Sequence, residues 1–252
     1  MSEEKKHAIL SASGSEIWLN CPGSVALIAI APEPPENKYA VEGTKGHTLL
    51  DIWANNQHFT PKDFLKLGYS MEMIQAVKVC IDDLKKVWQP TSKKELKVET
   101  KVSLERIVAP GMFGTVDLAV IEHFGTLEVT DYKHGRGVKV EVVKEGIGGV
   151  KYLNTQLVYY ALGLADLFDF NFKEVILKIV QPRCAQGTAI SSIKVSIKEL
   201  MGYIELFRKG VDRTLQKNAK RFAGPHCRFC KAKPICKEGQ GKFRTNSRED
   251  FL

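Results

Sequence analysis

The chain of 252 residues is 44% hydrophobic and 26% charged, which excludes a disordered chain and allows one large domain or a domain with a small appendage. No apolar run is long enough to cross a bilayer, and the charged start leads into no signal-peptide pattern, so we expect an intracellular protein without membrane attachment. The formal net charge of +8 is compatible with a polyanion partner but does not distinguish nucleic acid from a merely basic surface.

The first predicted element is a short helix over residues 11–21, because Ser and Gly capping residues precede an apolar turn that stops at Cys21-Pro22. A proline-rich loop at residues 31–37 separates it from a helix that carries His47 and Asp51. These two side chains lie one turn apart and can share a face, which is also the arrangement of many ordinary surface or core pairs.

Residues 64–88 have the apolar spacing of a packing helix, in which Cys80 is predicted to be a buried thiol. Residues 95–104 alternate as a strand that places Glu99 on the face opposite to Val98 and Val102. Glu99 can face a metal site, but we favour the simpler interpretation of a solvent-facing strand carboxylate.

The most informative stretch is residues 114–133, where two runs of alternating apolar residues meet at a turn that contains Gly125. The pattern predicts a β-hairpin that brings Asp117 on the first strand beside Asp131 on the second. Period two also directs Asp131 and Lys133 to the same side of the second strand. Two carboxylates beside one ammonium suit a Mg²⁺ or Mn²⁺ site, although an ordinary exposed hairpin can carry the same residues.

The segment after Lys133 is basic and glycine-rich, and its Arg136 suits contact with a phosphate, although a plain glycine loop has the same composition. Residues 152–168 predict a strong helix on which Gln156 and Tyr160 share a face. A tyrosine in the core and a glutamine at its rim would give the same pattern. Further along the chain, strands are predicted at residues 174–181 and 190–197, and an amphipathic helix at residues 196–220.

Three cysteines near the C-terminus, Cys227, Cys230 and Cys236, have the spacing C-x2-C-x5-C. In a reducing compartment this crowding indicates a metal site, since thiolates are soft metal ligands; three free thiols are the less favoured alternative. A tetrahedral site needs a fourth ligand, for which Cys21 is the first candidate and His226 the second.

Taken together, these residues resemble the PD-(D/E)XK nucleases of the RecB/AddB-like branch, which includes the iron-sulfur CRISPR-associated exonucleases and many phage proteins. The resemblance spans nearly the whole chain and depends on the order and spacing of several short motifs, each weak alone. In chain order they are Cys21-Pro22, G-x-x-x-H at Gly43–His47, G-x-x-D at Gly114–Asp117, D-x-K at Asp131–Lys133, Q-x-x-x-Y at Gln156–Tyr160, and the C-terminal C-x2-C-x5-C.

The resemblance implies an α/β fold of the restriction-endonuclease type, with a mixed central sheet flanked by helices and a cysteine-rich C-terminal segment clasped to the N-terminus. It implies a nuclease core at residues 1–220 and an iron-sulfur and basic tail at residues 221–252 that packs with the Cys21 segment. The implied cofactor of that tail is a 4Fe-4S cluster, with structural Zn²⁺ as the alternative, on Cys21, Cys227, Cys230 and Cys236.

The resemblance also implies a catalytic Mn²⁺ or Mg²⁺ ion, of which a histidine ligand favours Mn²⁺. Its implied ligands are His47, Asp117, Asp131 and the backbone carbonyl of Tyr132. The catalytic residues would be Asp117, Asp131 and Lys133. Of these, Lys133 would orient or activate the attacking water and stabilise charge on the phosphate.

The leading hypothesis is therefore a metal-dependent DNA nuclease, a phosphodiester hydrolase and most simply an exonuclease on single strands or duplex ends in phage or bacterial replication, recombination or repair. Gln156, Tyr160 and Arg136 are expected to contact the DNA. The sequence lacks G-x4-G-K-[ST], so a separate helicase or recombinase is the expected partner if ATP is used. The cytoplasm of a bacterium or a phage-infected host is the expected location. The alternative is a nucleic-acid-binding or scaffold protein that retains the fold and cluster with little catalysis.

Overall fold

The computed structural model describes residues 8–33, 35, 37–145 and 149–241. The chain divides into two compact units. The first, which we call the cysteine unit, comprises the described parts of Met1–Pro35, Ser103–Gly114 and Met201–Leu252; the second, the sheet unit, comprises those of Glu36–Val102 and Thr115–Leu200. The cysteine unit thus contains both Cys21 and the C-terminal cysteines, while the sequence-based boundary at residue 220 stays a prediction.

The described helices are α1 (Ser15–Asn20), α2 (Ser24–Ala29), α3 (Lys38–Asn55), α4 (Pro61–Lys66), α5 (Met71–Val87), α6 (Thr155–Leu167), α7 (Ile197–Met201), α8 (Tyr203–Leu215) and α9 (Lys237–Gly241). The described strands are β1 (Glu95–Ser103), β2 (Phe113–Ile121), β3 (Thr126–Tyr132), β4 (Val143–Glu145), β5 (Lys151–Leu153), β6 (Glu174–Val180) and β7 (Ile190–Ser196). No described helix is both long and apolar enough to cross a membrane.

A five-stranded sheet with the order β1-β2-β3-β6-β7 organises the sheet unit. β2 and β3 form the predicted antiparallel hairpin, β3 and β6 run parallel, and β6 and β7 are antiparallel. Parallel neighbours need a crossover connection, which here includes α6, and α6 packs against both strands. The prediction of an α/β fold with a mixed central sheet flanked by helices is therefore confirmed.

The turn between β2 and β3 shows how the hairpin closes. Phe124 has a φ of +61°, a left-handed conformation that is uncommon outside glycine. At the following Gly125, a Cβ atom would lie only 3.0 Å from the Glu122 side chain. The sequence pattern located the turn correctly, but Gly125 contributes space and Phe124 takes the left-handed conformation.

Two predicted helices are interrupted. The stretch at residues 64–88 forms α4 and α5 rather than one helix, because Gly68 adopts a φ of +85° and the Ser70 side chain accepts a hydrogen bond from the backbone of Met73 to cap α5. The stretch at residues 196–220 forms α7 and α8, which meet at Gly202, and α8 ends at Leu215.

The predicted helix at residues 152–168 starts later than expected. Lys151–Leu153 instead pairs with β4 as a short antiparallel strand. The Asn154 side chain then accepts hydrogen bonds from the backbone N–H groups of Gln156 and Leu157, so it is the N-cap of α6. This cap fixes the first turn of α6, on which Gln156 lies.

Helices α3 and α5 pack on the sheet through one apolar core. Its fully or nearly fully buried members include Leu49, Leu50, Trp53, Phe64, Ile74, Val77, Ile81, Leu118, Val120, Tyr132 and Val180. The predicted buried thiol, Cys80, belongs to this core. One charged group also links these elements, because the Lys178 ammonium on β6 donates to Asp83 on α5 and to Glu128 on β3. Removing one partner of such a buried set costs about 3–5 kcal/mol.

In the cysteine unit, α1 packs against α8. The rings of Trp18 and Phe207 lie 5.7 Å apart, and a Cβ atom at Gly210 would come within 2.4 Å of Leu19. The backbone N–H of Gly23 donates to the carbonyl of Lys220 at 2.9 Å. The N-terminal helices are therefore joined to the segment that leads into the C-terminal cysteines.

Candidate metal centre and cysteine pocket

Three side chains from three different elements of the sheet unit converge at one point. His47 on α3 places its Nδ1 atom 3.4 Å from an Asp117 oxygen and 4.0 Å from a Glu99 oxygen. The ligand atoms of all three lie within 4.8 Å of one another. One imidazole and two carboxylates are suitable donors for a divalent cation, so this group can hold a metal ion.

Glu99 reaches this group through an unusual backbone conformation. Its φ is +42°, whereas a regular strand residue has a strongly negative φ. For a residue with a Cβ atom such a conformation costs on the order of 1–3 kcal/mol. The side chain is 36% exposed, as the solvent-facing interpretation predicted, and it also lies beside His47, as the metal-facing interpretation requires.

Close packing of α3 against the segment after β3 positions His47. A Cβ atom at Gly46 would lie 2.8 Å from the ring of His134, so only glycine fits at this position. The His134 ring is itself fixed, because its Nδ1 atom shares a hydrogen bond with the Tyr132 hydroxyl at 2.8 Å. By contrast, nothing lies within 4 Å of a Cβ atom placed at Gly43.

Two members of this group, Glu99 and His47, have a raised pKa. Burial and the neighbouring Asp117 carboxylate raise the pKa of Glu99 to about 7. Burial opposes protonation of His47, but its hydrogen bond to Asp117 and the nearby carboxylates outweigh that effect and raise its pKa. Accumulated negative charge therefore favours a bound cation, either a proton or a metal ion.

Asp131 and Lys133 form a second, adjacent arrangement. The Lys133 ammonium lies 2.8 Å from one Asp131 oxygen and 3.1 Å from the Gln156 side-chain oxygen. The Gln156 amide donates to Asp131 at 3.1 Å and to the Tyr160 hydroxyl at 3.0 Å. Burial raises the pKa of Asp131, while the charge of Lys133 acts in the opposite direction.

A backbone hydrogen bond joins the two arrangements. The Tyr132 N–H, between Asp131 and Lys133, donates to the Asp117 carboxylate at 2.7 Å. Asp117 thus has one oxygen facing His47 and the other held by β3. The hairpin brings Asp117 beside Asp131, as the sequence predicted.

The four motif cysteines line one pocket of the cysteine unit: Cys21, Cys227, Cys230 and Cys236. Two backbone N–H groups point at sulfur atoms, from Phe222 to Cys21 at 3.3 Å and from Gly224 to Cys227 at 3.4 Å. Burial raises the pKa of Cys21, and the neighbouring cysteines add to this effect. His226, the second candidate for the fourth ligand, also lines the pocket, but its Nε2 atom hydrogen-bonds to the Phe222 carbonyl.

Gly239 and Arg221 also line this pocket. A Cβ atom at Gly239 would stand 3.7 Å from the Cys236 sulfur and 4.0 Å from the Cys227 sulfur. Arg221 forms a two-pronged pair with Glu238, at 2.9 and 3.0 Å, and this pairing lowers the pKa of Glu238 to about 2. The pocket that the cysteine thiols line is therefore formed by short turns rather than by a sheet.

A family model described as "Protein of unknown function (DUF2800)" matches residues 7–251. The chain belongs to the DUF2800 family. Among solved structures, the crystal structure of SSO0001 matches at a TM-score of 0.37 with 16% sequence identity, over 94% of this chain and 88% of that chain.

In this DUF2800 chain, most of the sequence-predicted site residues come together. His47 meets Asp117, while Asp131 meets Lys133, Gln156 and Tyr160. The predicted roles of the Asp131 carboxylate and the Tyr132 carbonyl as metal ligands stay predictions. Arg136 lies with a different set of charges, where it pairs with Glu72.

The sequence patterns did not identify Gly46 and did not decide the position of Glu99 in the candidate site. The alternation of β1 left Glu99 open between a metal-facing and a solvent-facing position, and its side chain is partly exposed beside His47. Gly46 was passed over because the G-x-x-x-H motif directs attention to Gly43. A glycine directly before His47 was the available signal, since a helix-interior glycine without a packing reason is destabilising.

Proposed function

We propose that this DUF2800 protein is a metal-dependent DNA nuclease. The observation that carries the proposal is the double use of Asp117, whose carboxylate faces His47 on one side and is held by the strand of Asp131 and Lys133 on the other. Possible metal ligands and a half-buried ammonium are thereby kept side by side, a combination that suits metal-assisted phosphodiester hydrolysis.

The donor set fits the proposed ion. His47, Glu99 and Asp117 would hold it, and the Asp131 carboxylate and Tyr132 carbonyl are the further ligands expected from the sequence. A bound Mn²⁺ or Mg²⁺ would supply Lewis acidity at the phosphate and lower the pKa of a water molecule. One imidazole among oxygen donors favours Mn²⁺ over Mg²⁺.

Lys133 is the proposed partner of the attacking water and of the developing phosphate charge. Its side chain is half-buried and its ammonium is held by Asp131 and Gln156, so it would not need to reorganise when substrate binds. Burial disfavours its charge, but the Asp131 carboxylate outweighs that effect and raises its pKa, which keeps Lys133 protonated. It would therefore orient a water molecule and stabilise anionic charge rather than accept a proton.

Gln156 and Tyr160 would position the DNA strand. Tyr160 is 6% exposed and its hydroxyl is held by Gln156, so the two act as one unit on α6. The same Gln156 amide also donates to Asp131. A DNA strand that moved Gln156 would therefore also disturb the pair of Asp131 and Lys133.

For the cysteine pocket we propose a 4Fe-4S cluster on Cys21, Cys227, Cys230 and Cys236. The donor chemistry fits, because iron–sulfur clusters are held by four cysteine thiolates and tuned by hydrogen bonds to sulfur, such as those from Phe222 and Gly224. The hydrogen bond between His226 and the Phe222 carbonyl supports Cys21 rather than His226 as the fourth ligand. Structural zinc is the alternative, and the iron and sulfide contents of anaerobically purified protein distinguish the two metals.

The nuclease test compares variants that remove charge with little change of shape. Purified protein is incubated with Mn²⁺ and end-labelled linear or circular single strands and linear duplexes. Asp131→Asn and Lys133→Met should each lower the cleavage rate about a hundredfold or more, as expected for a lost transition-state contact. The matched controls Asp82→Asn and Lys194→Met, at exposed ion pairs, should cleave at the wild-type rate.

The cleavage of each DNA substrate also distinguishes an exonuclease from the scaffold alternative. Cleavage of linear but not circular single strands indicates an exonuclease. DNA binding without cleavage by wild-type protein supports the scaffold alternative. Full activity in both Asp131→Asn and Lys133→Met would refute the proposed catalytic roles.

A further inference from the structure

A cluster of charged residues lies near the carboxyl ends of β3 and β6, apart from the proposed ligands. We call it the arginine cluster, and it consists of Glu42, Glu72, His134, Arg136 and Arg183. The Arg183 side chain is only 7% exposed. Its guanidinium donates to the Glu42 carboxylate at 2.9 Å, approaches Glu72 at 3.3 Å and donates to the backbone carbonyl of His134 at 3.3 Å.

The guanidinium is fixed, but its partners do not satisfy it. The Nε atom of Arg183 and the Nε2 atom of His134 are buried and have no hydrogen-bond partner among the described residues. A buried donor without a partner costs about 1–3 kcal/mol. Glu42 is the nearest acidic group to the His134 Nε2 atom, at 4.0 Å, which is too long for a hydrogen bond.

The Glu42 and Glu72 side chains are more exposed than the Arg183 side chain. The Glu42 side chain is 39% exposed and that of Glu72 is 59% exposed. Glu72 is shared, because it also pairs with the exposed Arg136. Two surface carboxylates therefore rest on a buried guanidinium that a main-chain carbonyl holds in place. The guanidinium of arginine donates to carboxylate and phosphate oxygens in the same geometry, so a phosphate could replace either carboxylate.

We propose that Arg183, together with Arg136, forms a subsite for a backbone phosphate of the DNA strand, and that Glu42 and Glu72 occupy this subsite until the strand displaces them. The subsite is one residue from the proposed catalytic lysine, since the carbonyl that Arg183 contacts belongs to His134 and Lys133 precedes it. This inference rests on the proposed nuclease function and names a contact outside its catalytic residues.

If phosphate displaces Glu42 from Arg183, substitution of Glu42 changes DNA affinity in a way that a purely structural ion pair does not. If Glu42 competes with phosphate, then removing its charge tightens DNA binding, and this gain requires Arg183. If the pair only supports the fold, removing either partner lowers stability and gives no gain in affinity. The coupling between the two substitutions separates these cases.

The experiment measures binding of a fluorescein-labelled single strand by anisotropy, with Ca²⁺ present and over a series of KCl concentrations. Glu42→Gln should tighten binding about threefold or more. Arg183→Gln should weaken it about tenfold and reduce the salt slope by about one, as for the loss of one phosphate contact. The Glu42→Gln/Arg183→Gln double variant should bind like Arg183→Gln alone.

Glu122→Gln is the matched control, because Glu122 is an exposed carboxylate paired with Lys94 on another part of the sheet unit. Equal tightening by Glu122→Gln would attribute the gain to net charge and overturn the subsite. Unchanged or weaker binding by Glu42→Gln would also overturn it. Thermal unfolding checks that each variant is folded, and the Glu42→Gln arm remains decisive if Arg183→Gln does not fold.

The outcomes also distinguish this subsite from the nuclease proposal. If the binding pattern holds while Asp131→Asn and Lys133→Met still cleave, the catalytic roles fail and the phosphate subsite stands. If cleavage depends on Asp131 and Lys133 but Glu42→Gln binds like wild type, only the subsite fails. If wild-type protein does not bind DNA, both fail.

Discussion

The candidate metal centre and the cysteine pocket are built in opposite ways. The metal centre takes its residues from a long helix and three strands of one sheet, and hydrogen bonds within the protein fix most of its side chains. The cysteine pocket takes its cysteines from helix ends and short 3-10 turns, with backbone N–H groups directed at sulfur. Hydrogen bonds within the protein hold the first arrangement, whereas short turns form the second, to which the proposed cluster would add its bonds.

A bound group contributes most to folding where little other structure holds the residues together. Buried strands such as β3 would be held by sheet pairing and packing in any case, so a metal ion there adds chemistry to an existing framework. The turns at Pro225–Phe229 and Lys233–Ile235 bury little, and Phe229 and Ile235 are exposed. Metal-binding free energy is folding free energy where no preformed structure exists.

The strongest loss should therefore come from removing one of the four cysteines of the proposed cluster. If the cluster is present, Cys21→Ser should abolish iron binding and make residues 221–241 sensitive to limited proteolysis, because Cys21 joins that segment to the N-terminal helices. Cys184→Ser, at a partly exposed cysteine outside the motif, is the matched control and should keep full iron content. Iron analysis and protease digestion measure both effects. Wild-type protease resistance in iron-free Cys21→Ser would show that the pocket folds without its cofactor.

An intermediate effect is expected at the helix that carries His47. Gly46→Ala places a methyl group against the His134 ring, so α3 must move away and the distance from His47 to Asp117 must increase. We expect Mn²⁺ affinity to fall about 10–100-fold, as when a group that orients a ligand is lost. Isothermal titration calorimetry measures the affinity, and circular dichroism checks the fold.

Gly43→Ala is the matched control for this packing argument. It changes the same residue type in the same helix, and its methyl group meets nothing within 4 Å. Alanine also favours a helix over glycine, so the variant should be as stable as wild type or slightly more stable. Equal losses of Mn²⁺ affinity in Gly43→Ala and Gly46→Ala would contradict the role assigned to the contact with His134.

The sequence predicted most of the sheet and much of the centre because period-two alternation encodes which face a strand side chain occupies. Alternation placed Asp131 and Lys133 together, and helical spacing placed Gln156 beside Tyr160. Alternation placed Glu99 on the face opposite to Val98, but it could not decide whether the carboxylate meets a metal site or only solvent, because His47 comes from a helix distant in sequence. It also could not reveal Arg183, whose partners Glu42, Glu72 and His134 are distant in sequence.

A smaller effect is expected at Glu99, the candidate ligand whose position the sequence left open. Its side chain is partly exposed and contacts His47 only at 4.0 Å, so its contribution to holding a cation is reduced by solvent. We expect Glu99→Gln to weaken Mn²⁺ binding about tenfold, roughly 1.4 kcal/mol, and to leave the fold intact. Glu95→Gln, on the same strand but paired with Lys97, should leave Mn²⁺ affinity unchanged.

Glu99→Gly tests the contrast between the metal centre and the cysteine pocket. The left-handed backbone at Glu99 belongs to β1, so we expect its cost to lower the stability of that strand. Replacing Glu99 with glycine should relieve this strain and raise thermal stability while Mn²⁺ affinity falls. A loss of both stability and affinity would instead mean that Glu99 supports the strand itself and that the metal centre is less preformed than its hydrogen bonds indicate.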